Sequence, residues 1–272
     1  MPMAGCHKSR GKYIITGGVA KTSTVRNLSY SLAELGKKVL TVDLDPQRSL
    51  TISFGILPKQ AKHTTGTLIT RMLTEEELPE KNEYIHTVGK VDVIPASRAL
   101  TVAEVNMLIS PGTNKYLSKL LEPLREDYDY IFIDTNPALG ALTINALTAC
   151  DEVLIPIDPE LFAISGLYDL IDSVGKVKES LNPAIEIGGI LFVKCITRTN
   201  LYKTARQNIT DYFPNIPIFN SVIPLTVKVG EANNASMAVA EYIKNNSAAK
   251  AYMKLAKEVT KYGKDETSDK IA

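Results

Sequence analysis

Two short runs constrain the fold of this chain more than anything else in it: YIFID at 130–134 and VLIPI at 153–157. A strand with one wet face alternates apolar and polar residues, whereas a strand apolar on both faces must lie between two layers of helix. Similar strand-like runs recur as KYIIT (12–16), KVLTVDLD (38–45), VDVIPA (91–96), IEIGGILFVK (185–194) and a shorter IPIFNSVIP (216–224). Between them lie stretches of helical periodicity. In TSTVRNLSYSLAELG, Val25, Leu28, Leu32 and Leu35 fall on one face and Gly36 is a C-terminal stop. Further helices are expected within 114–126, 140–149, 165–180, 202–212 and 248–262. Strands alternating with helices imply parallel pairing through right-handed crossovers. The expected class is α/β: a doubly wound, mostly parallel sheet of seven or eight strands with helices on both faces. The segment 57–90 is polar and less periodic, and reads as helical insertions or surface excursions. No internal repeat or long linker divides the chain, so 12–262 is expected to form one domain. Residues 1–11 are expected to be a flexible extension and 263–272 a flexible tail beginning at Gly263.

With 272 residues, 44% hydrophobic and 22% charged, and a mean hydropathy of −0.02, the chain has the composition of a globular domain with one large core. No apolar run reaches the roughly 18 residues of a membrane span, and MPMAGCHKSR lacks the apolar centre of a signal peptide. The expected location is therefore the cytoplasm. Cys6, Cys150 and Cys195 are too few and too scattered for a disulfide framework or zinc cluster. Cys150 and Cys195 read as buried, inert thiols. Net charge is +1, but its distribution is uneven. From Lys194 onward there are 12 Lys and Arg against 7 Asp and Glu, while the first 193 residues hold 19 against 23. A basic C-terminal third suits either a polyanion-binding face or a merely solvated one.

In a doubly wound sheet, ligands collect at the carboxyl ends of the strands, and three chemical features fall there. The first is GGVAKTS, 17–23, between a strand and a helix. Gly17, Gly18, Val19, Ala20 and Ser23 would present backbone N–H groups to phosphate. Lys21 would supply a charge to the β and γ phosphates, and Thr22 a hydroxyl to Mg²⁺. The second is VDLDPQ, where Asp43 and Asp45 point the same way from a strand end. They suit a metal and an attacking water, or simply an Asp-Pro turn. The third is Asp134, ending the apolar strand YIFID, a placement that suits a carboxylate holding Mg²⁺ through its water shell.

Over about residues 12–262 the chain resembles the ParA/MinD family of deviant P-loop ATPases, which position plasmids, chromosomes and other cargo. The resemblance is carried by GKKVLTVDLDPQRSLT, YDYIFIDTNPALGALTINALTACDEVLIPID, RTNLY and VIPLTVKVGEA. It implies ATP or ADP with Mg²⁺ as cofactors. Lys21 then matches the phosphate-binding lysine, Thr22 the Mg²⁺ ligand, Asp45 the carboxylate that orients the hydrolytic water, and Asp134 the second acidic motif. Asp43 would lie close to the metal, and Pro224 would belong to the nucleotide-binding set. The resemblance further implies a homodimer, with higher assemblies left open, that binds DNA without sequence specificity and answers to a ParB-like activator. Arg198 and Lys228 fall where members carry DNA-contacting residues, and Lys203 and Arg206 would extend that surface. The location would then be nucleoid-associated.

Three positions depart from the family pattern. Thr16 stands where the family loop carries a lysine that reaches the partner's nucleotide, Ala20 where it carries glycine, and Leu225 where many members carry an arginine. These departures keep three readings in play. The first is an ATP-dependent partition or cargo-positioning protein with slow hydrolysis. The second is a ParA-derived DNA-bound or filament-forming scaffold with impaired hydrolysis. The third is a metabolic P-loop enzyme, such as a dethiobiotin-synthetase-like ligase.

Overall fold

Strand β1 (Lys12–Ile15) leads to α1 (Lys21–Glu34), β2 (Val39–Leu44) and a short α2 (Ser49–Ser53). Helices α3 (Thr65–Leu73) and α4 (Lys81–Tyr84) precede β3 (His86–Val88) and β4 (Val91–Ile94). Next come α5 (Ala99–Ile109), α6 (Tyr116–Leu121), β5 (Tyr130–Thr135), α7 (Ala141–Ala149) and β6 (Glu152–Ile157). The chain continues through α8 (Ala163–Ser180), β7 (Glu186–Phe192), α9 (Asn200–Tyr212), α10 (Lys228–Asn234), α11 (Val239–Tyr242) and α12 (Ser247–Ser268). This computed structural model describes residues 12–15, 19–57, 60–136, 138–160 and 163–268.

The seven strands form one sheet in the order β3-β4-β2-β5-β1-β6-β7, and every neighbouring pair except β3–β4 is parallel. In β5 the two faces of the sheet are visible residue by residue. Ile131 and Ile133 enter a core shared with Leu68, Leu100, Leu142 and Leu170, whereas Tyr130 and Phe132 enter a second core with Val25, Leu28, Tyr252 and Leu255. Two cores, one on each face, are why YIFID shows no alternation. Helix α1 stops as expected at Gly36. With φ +78°, Gly36 donates to the Ala33 carbonyl at 3.0 Å while Lys37 donates to Leu32 at 3.1 Å, a double closure that a left-handed glycine permits. Cys150 and Cys195 are buried, and burial pushes the Cys195 thiol up to about 12, so it stays protonated and inert. Among the described residues, no helix is long and apolar enough to cross a membrane.

The elements differ from the sequence expectation in several places. Residues 216–224 form no continuous strand: they pair with Ile190 of β7 at Ile218 and with Cys195, just beyond β7, at Pro224, and between these points the Ile223 N–H donates to the Phe192 carbonyl at 2.9 Å. Between those points the Glu258 carboxylate on α12 accepts the N–H groups of Asn220 (2.6 Å) and Ser221 (2.9 Å) and the Ser221 hydroxyl (2.6 Å). Those donors are therefore unavailable to a ladder. The seventh strand is instead β3, which pairs antiparallel with β4 across the tight turn Gly89–Lys90. That turn lies in the polar segment 57–90, where the brevity of the strand hid it. The helix expected over 114–126 is cut to six residues and flanked by 3-10 turns, and Pro123 cannot continue an α-helical ladder. Helix α5 was missed because the exposed Val102, Val105, Leu108 and Ile109 blur its buried face of Leu100, Ala103 and Met107. The last helix passes Gly263 and runs to Ser268.

The Glu258 contacts generate a stability prediction. Glu258→Ala leaves the two backbone donors and the buried Ser221 hydroxyl without their acceptor, and is expected to lower unfolding stability by about 1–3 kcal/mol. Urea denaturation measures this, and a change under about 0.5 kcal/mol would mean that Glu258 does not hold the segment.

Candidate functional site

Strands β2 and β5 end side by side, with Asp43 directly opposite Asp134. Both residues are buried, at 0% and 1% exposure. The first turn of α1 meets them: the Thr22 hydroxyl donates to Asp134 Oδ2 at 2.7 Å. Asp134 Oδ1 is buried and has no hydrogen-bond partner among the described residues. Burial, followed by the facing Asp43, raises the Asp134 pKa well above the usual carboxylate range, against the pull of Thr22 and Lys21. Thus Thr22 and Asp134, chosen separately from sequence as Mg²⁺ residues, are brought into contact.

Asp43 is committed elsewhere. Its Oδ2 accepts the Thr51 N–H at 2.7 Å and the Thr51 hydroxyl at 2.6 Å, and its Oδ1 accepts the Asp45 N–H at 3.1 Å. The Thr51 hydroxyl oxygen in turn accepts the Ala96 N–H at 2.8 Å. Asp43 therefore anchors α2 and the strand exits, a role the sequence reading did not assign. Burial pushes its pKa up to about 6 against those hydrogen bonds. Asp45 is half-buried and accepts the Gln47 N–H at 2.8 Å, as an Asp opening a turn does. Its second oxygen has no hydrogen bond among the described residues. The two readings of VDLDPQ are thus divided between its carboxylates, with Asp43 as the structural anchor and Asp45 at the cleft.

Ala20 is the residue before α1 and adopts φ 52°, ψ 23°, the left-handed region. For a residue with a Cβ this conformation is disfavoured by roughly 1 kcal/mol, so Ala20 holds under strain a shape that glycine adopts freely. Lys21 and Thr22 follow it on the wall of a cleft of about 550 Å³. Asp45, Ser23, Asn233 and Lys194 line the same cleft. Burial lowers the Lys21 pKa, opposed first by Asp134 and then by Asp45. Asn233 donates to the Ser23 hydroxyl at 3.0 Å, and its own Oδ1 is buried without a partner among the described residues. Neither Asn233 nor Lys194 carried a chemical signal in sequence, because each reaches the cleft from a distant element. Thr16, Gly17 and Gly18 lie outside the described residues. Val19 and Ala20 pack on the core beneath α1.

The likeness to known proteins is extensive. A family model described as an AAA domain matches residues 13–187. The chromosome-partitioning ATPase Soj of Treponema pallidum is 36% identical over 249 residues, covering 89% of this chain and 93% of that one. The chromosome partitioning protein ParA of Myxococcus xanthus is 34% identical over 247 residues, covering 90% and 85%. The chain belongs to the ParA/MinD-type ATPase family. Among solved structures, cobyrinic acid a,c-diamide synthase from Mycobacterium smegmatis, with bound ATP analogue and magnesium, superimposes with a TM-score of 0.80 at 27% identity, covering 94% and 96%. Nucleotide and Mg²⁺ binding are thus properties of related structures. In this ParA/MinD-type chain, the unpartnered buried oxygen of Asp134 beside the Thr22 hydroxyl fits a small hard cation that prefers oxygen ligands.

The residues expected to contact DNA are less uniform. Arg198 and Lys203 are exposed, at the start of α9, and Arg206 is half-buried one turn on. Pro224 lies beside Cys195 and so brings 224–228 next to 194–198. Lys228, however, is engaged by Glu231 at 2.8 Å, which raises the lysine pKa, and Tyr242 donates to the same carboxylate at 3.2 Å. Lys228 stays charged but shares its exposed ammonium with that carboxylate, and the exposed Leu225 and Val227 beside it are apolar.

The buried carboxylates give a pH signature in the ligand-free protein. An unfolded Asp loses its proton near pH 4, whereas Asp43 keeps it until about 6, so across that window the native state binds more protons. Stability in chelator is therefore expected to fall by about 2–3 kcal/mol as pH rises from about 4 to about 6, with Asp134 extending the fall in the same direction. Millimolar Mg²⁺ should recover part of the loss at neutral pH. Urea titrations across pH, with and without Mg²⁺, measure this; a flat profile in chelator would contradict the buried pair.

Proposed function

We propose that this ParA/MinD-type chain is an ATP-dependent partition or cargo-positioning protein that binds Mg-ATP at residues 17–23, with Ser23 and Pro224 also in the nucleotide site. The observation that carries the reading is the Thr22–Asp134 hydrogen bond beside an unpartnered carboxylate oxygen, at the start of the helix that follows the glycine pair. By donating its proton to Asp134, the Thr22 hydroxyl keeps its lone pairs directed to a cation, as outer carboxylates do for inner ligands. Thr22, with Asp134 behind it, would hold the Mg²⁺, which would supply positive charge to offset that of the phosphates. Lys21 binds the β and γ phosphates. Asp45, its turn held by Gln47, orients the attacking water with its second oxygen. Asp43 acts through the fold, holding α2 and the Asp45 turn in place.

Nucleotide then gates homodimerisation, and the dimer binds DNA through Arg198, Lys203 and Arg206 of both subunits, with Lys228 contributing less. A ParB-like protein is the expected activator. The alternative, a ParA-derived scaffold that binds ATP without effective turnover, is favoured by the strained Ala20 in the loop and by Thr16 in place of the family lysine.

Two experiments test this reading. Lys21→Ala is expected to abolish ATP binding, whereas Asp45→Ala is expected to retain it and lower phosphate release at least tenfold, since Asp45 acts on water and not on the ground-state phosphates. Equal loss of both in Asp45→Ala would make Asp45 a structural turn residue. A near-zero wild-type rate with intact binding would favour the scaffold. In low-salt mobility-shift assays, ATP is expected to tighten binding to arbitrary DNA. Arg198→Ala/Lys203→Ala should then weaken it several-fold more than Lys228→Ala does. Absence of any shift would remove DNA from the function.

A further inference from the structure

Strand β7 ends at Phe192, paired with Ile157 of β6. Along this edge Leu191 and Val193 enter one core, and Ile190 and Phe192 enter the other. Continued alternation would send Lys194 into the core of Ile190 and Phe192. Instead Lys194 adopts φ 53°, and Cys195 takes the core position. The left-handed turn inserts one residue between the two patterns and leaves Lys194 exposed on the wall of the cleft that holds Lys21, Thr22 and Asp45. A lysine is a poor choice for that backbone, since glycine adopts it without strain. Packing does not explain the choice: the side chain is exposed, and no ion pair holds it among the described residues. Ala20, on the same cleft, is also left-handed without being glycine. Arg48, Glu75 and Ser236 are left-handed too but do not line this cleft; the two that do flank it from opposite elements, where backbone strain can serve a site.

Charge supplies the second argument. Apart from Lys194, the charged residues lining the cleft are Lys21 and Asp45, which offset each other above two buried carboxylates. A nucleoside triphosphate remains anionic with its Mg²⁺ bound, so that set alone is short of positive charge. We propose that Lys194 is a second phosphate-directed cation of the nucleotide site, holding the polyphosphate from the β7 side while Lys21 holds it from α1. This assignment rests on the nucleotide-binding reading above.

Calorimetric titration of the full chain with Mg-ATP, Mg-ADP and adenosine tests it. Lys194→Ala and Lys194→Gln are expected to weaken Mg-ATP about tenfold and to change adenosine by less than twofold, while Lys194→Arg stays near wild type. Lys194→Gly is expected to move two readouts in opposite directions. It should raise the melting temperature of the ligand-free protein by about 2–4 °C as strain is relieved, and weaken Mg-ATP as much as Lys194→Ala does. If Lys194→Gln binds Mg-ATP like wild type while Lys21→Ala does not bind, the assignment fails and the nucleotide reading stands. Equal losses for ATP and adenosine, or a lower melting temperature in Lys194→Gly, would make Lys194 a base contact or a structural residue and overturn it. Wild-type protein that binds no nucleotide would overturn both.

Discussion

The ion pair between buried Arg26 and the surface residue Glu241 sets the position of α1, and the rest of the site depends on it. Arg26 is 3% exposed, donates to Glu241 at 2.8 Å and to the Ser53 carbonyl at 3.3 Å, and lies 4.3 Å from the centre of the Phe54 ring. One guanidinium thereby ties α1 to α2 and α11. Burial lowers the Arg26 pKa and Glu241 opposes that shift, so an unpaired charge here would be severely penalised. The next residue, Asn27, donates to the Ser23 carbonyl and accepts the Val239 N–H, each at 2.7 Å. Helix α1 has nine buried positions, of which Thr24, Arg26, Asn27, Ser29 and Ser31 are polar. Those bonds hold the helix in one register, so its first turn delivers Lys21 and Thr22 to the ends of β2 and β5.

The strand ends meet that turn with charge that the ligand-free fold leaves uncompensated. Asp43 and Asp134 face each other on adjacent parallel strands, and burial raises the pKa of both. The fold tolerates Asp43 by giving it three hydrogen bonds, two of them from Thr51. Asp134 has Thr22 on one oxygen and nothing among the described residues on the other. This asymmetry separates a carboxylate satisfied by the fold from one that keeps a buried oxygen without a partner among the described residues. It also places stability and ligand binding in opposition, as buried functional groups commonly do.

Much of this was legible in the chain itself. Runs such as YIFID require burial on both faces, and from that follow the parallel sheet and the two helical layers. Lys21, Thr22 and Asp134, which the structure brings to one cleft end, stood out in sequence because a glycine-rich strand–helix turn and a strand-end carboxylate are local patterns. Secondary structure that depends on a distant partner was not legible. The apolar run 216–224 looks like a strand, but Glu258, 38 residues from Asn220, claims the donors of Asn220 and Ser221 at its centre and so interrupts the ladder. The strand β3 exists only because Gly89–Lys90 folds three residues back onto β4.

By itself, the sequence determined the fold class and the family, and it pointed to the residues of the candidate site, because each rests on periodicity or on residues close together in the chain. Only the tertiary structure decided the roles within the site. It committed Asp43 to anchoring α2 and left Asp45 at the cleft, two residues away, because Thr51 and Gln47 compete for their oxygens. It paired Lys228 with Glu231, and it turned Lys194 into the cleft by a left-handed bend that no local pattern announces. A side chain's type is written in the chain, but its charge, exposure and partner are set by whatever the fold places beside it.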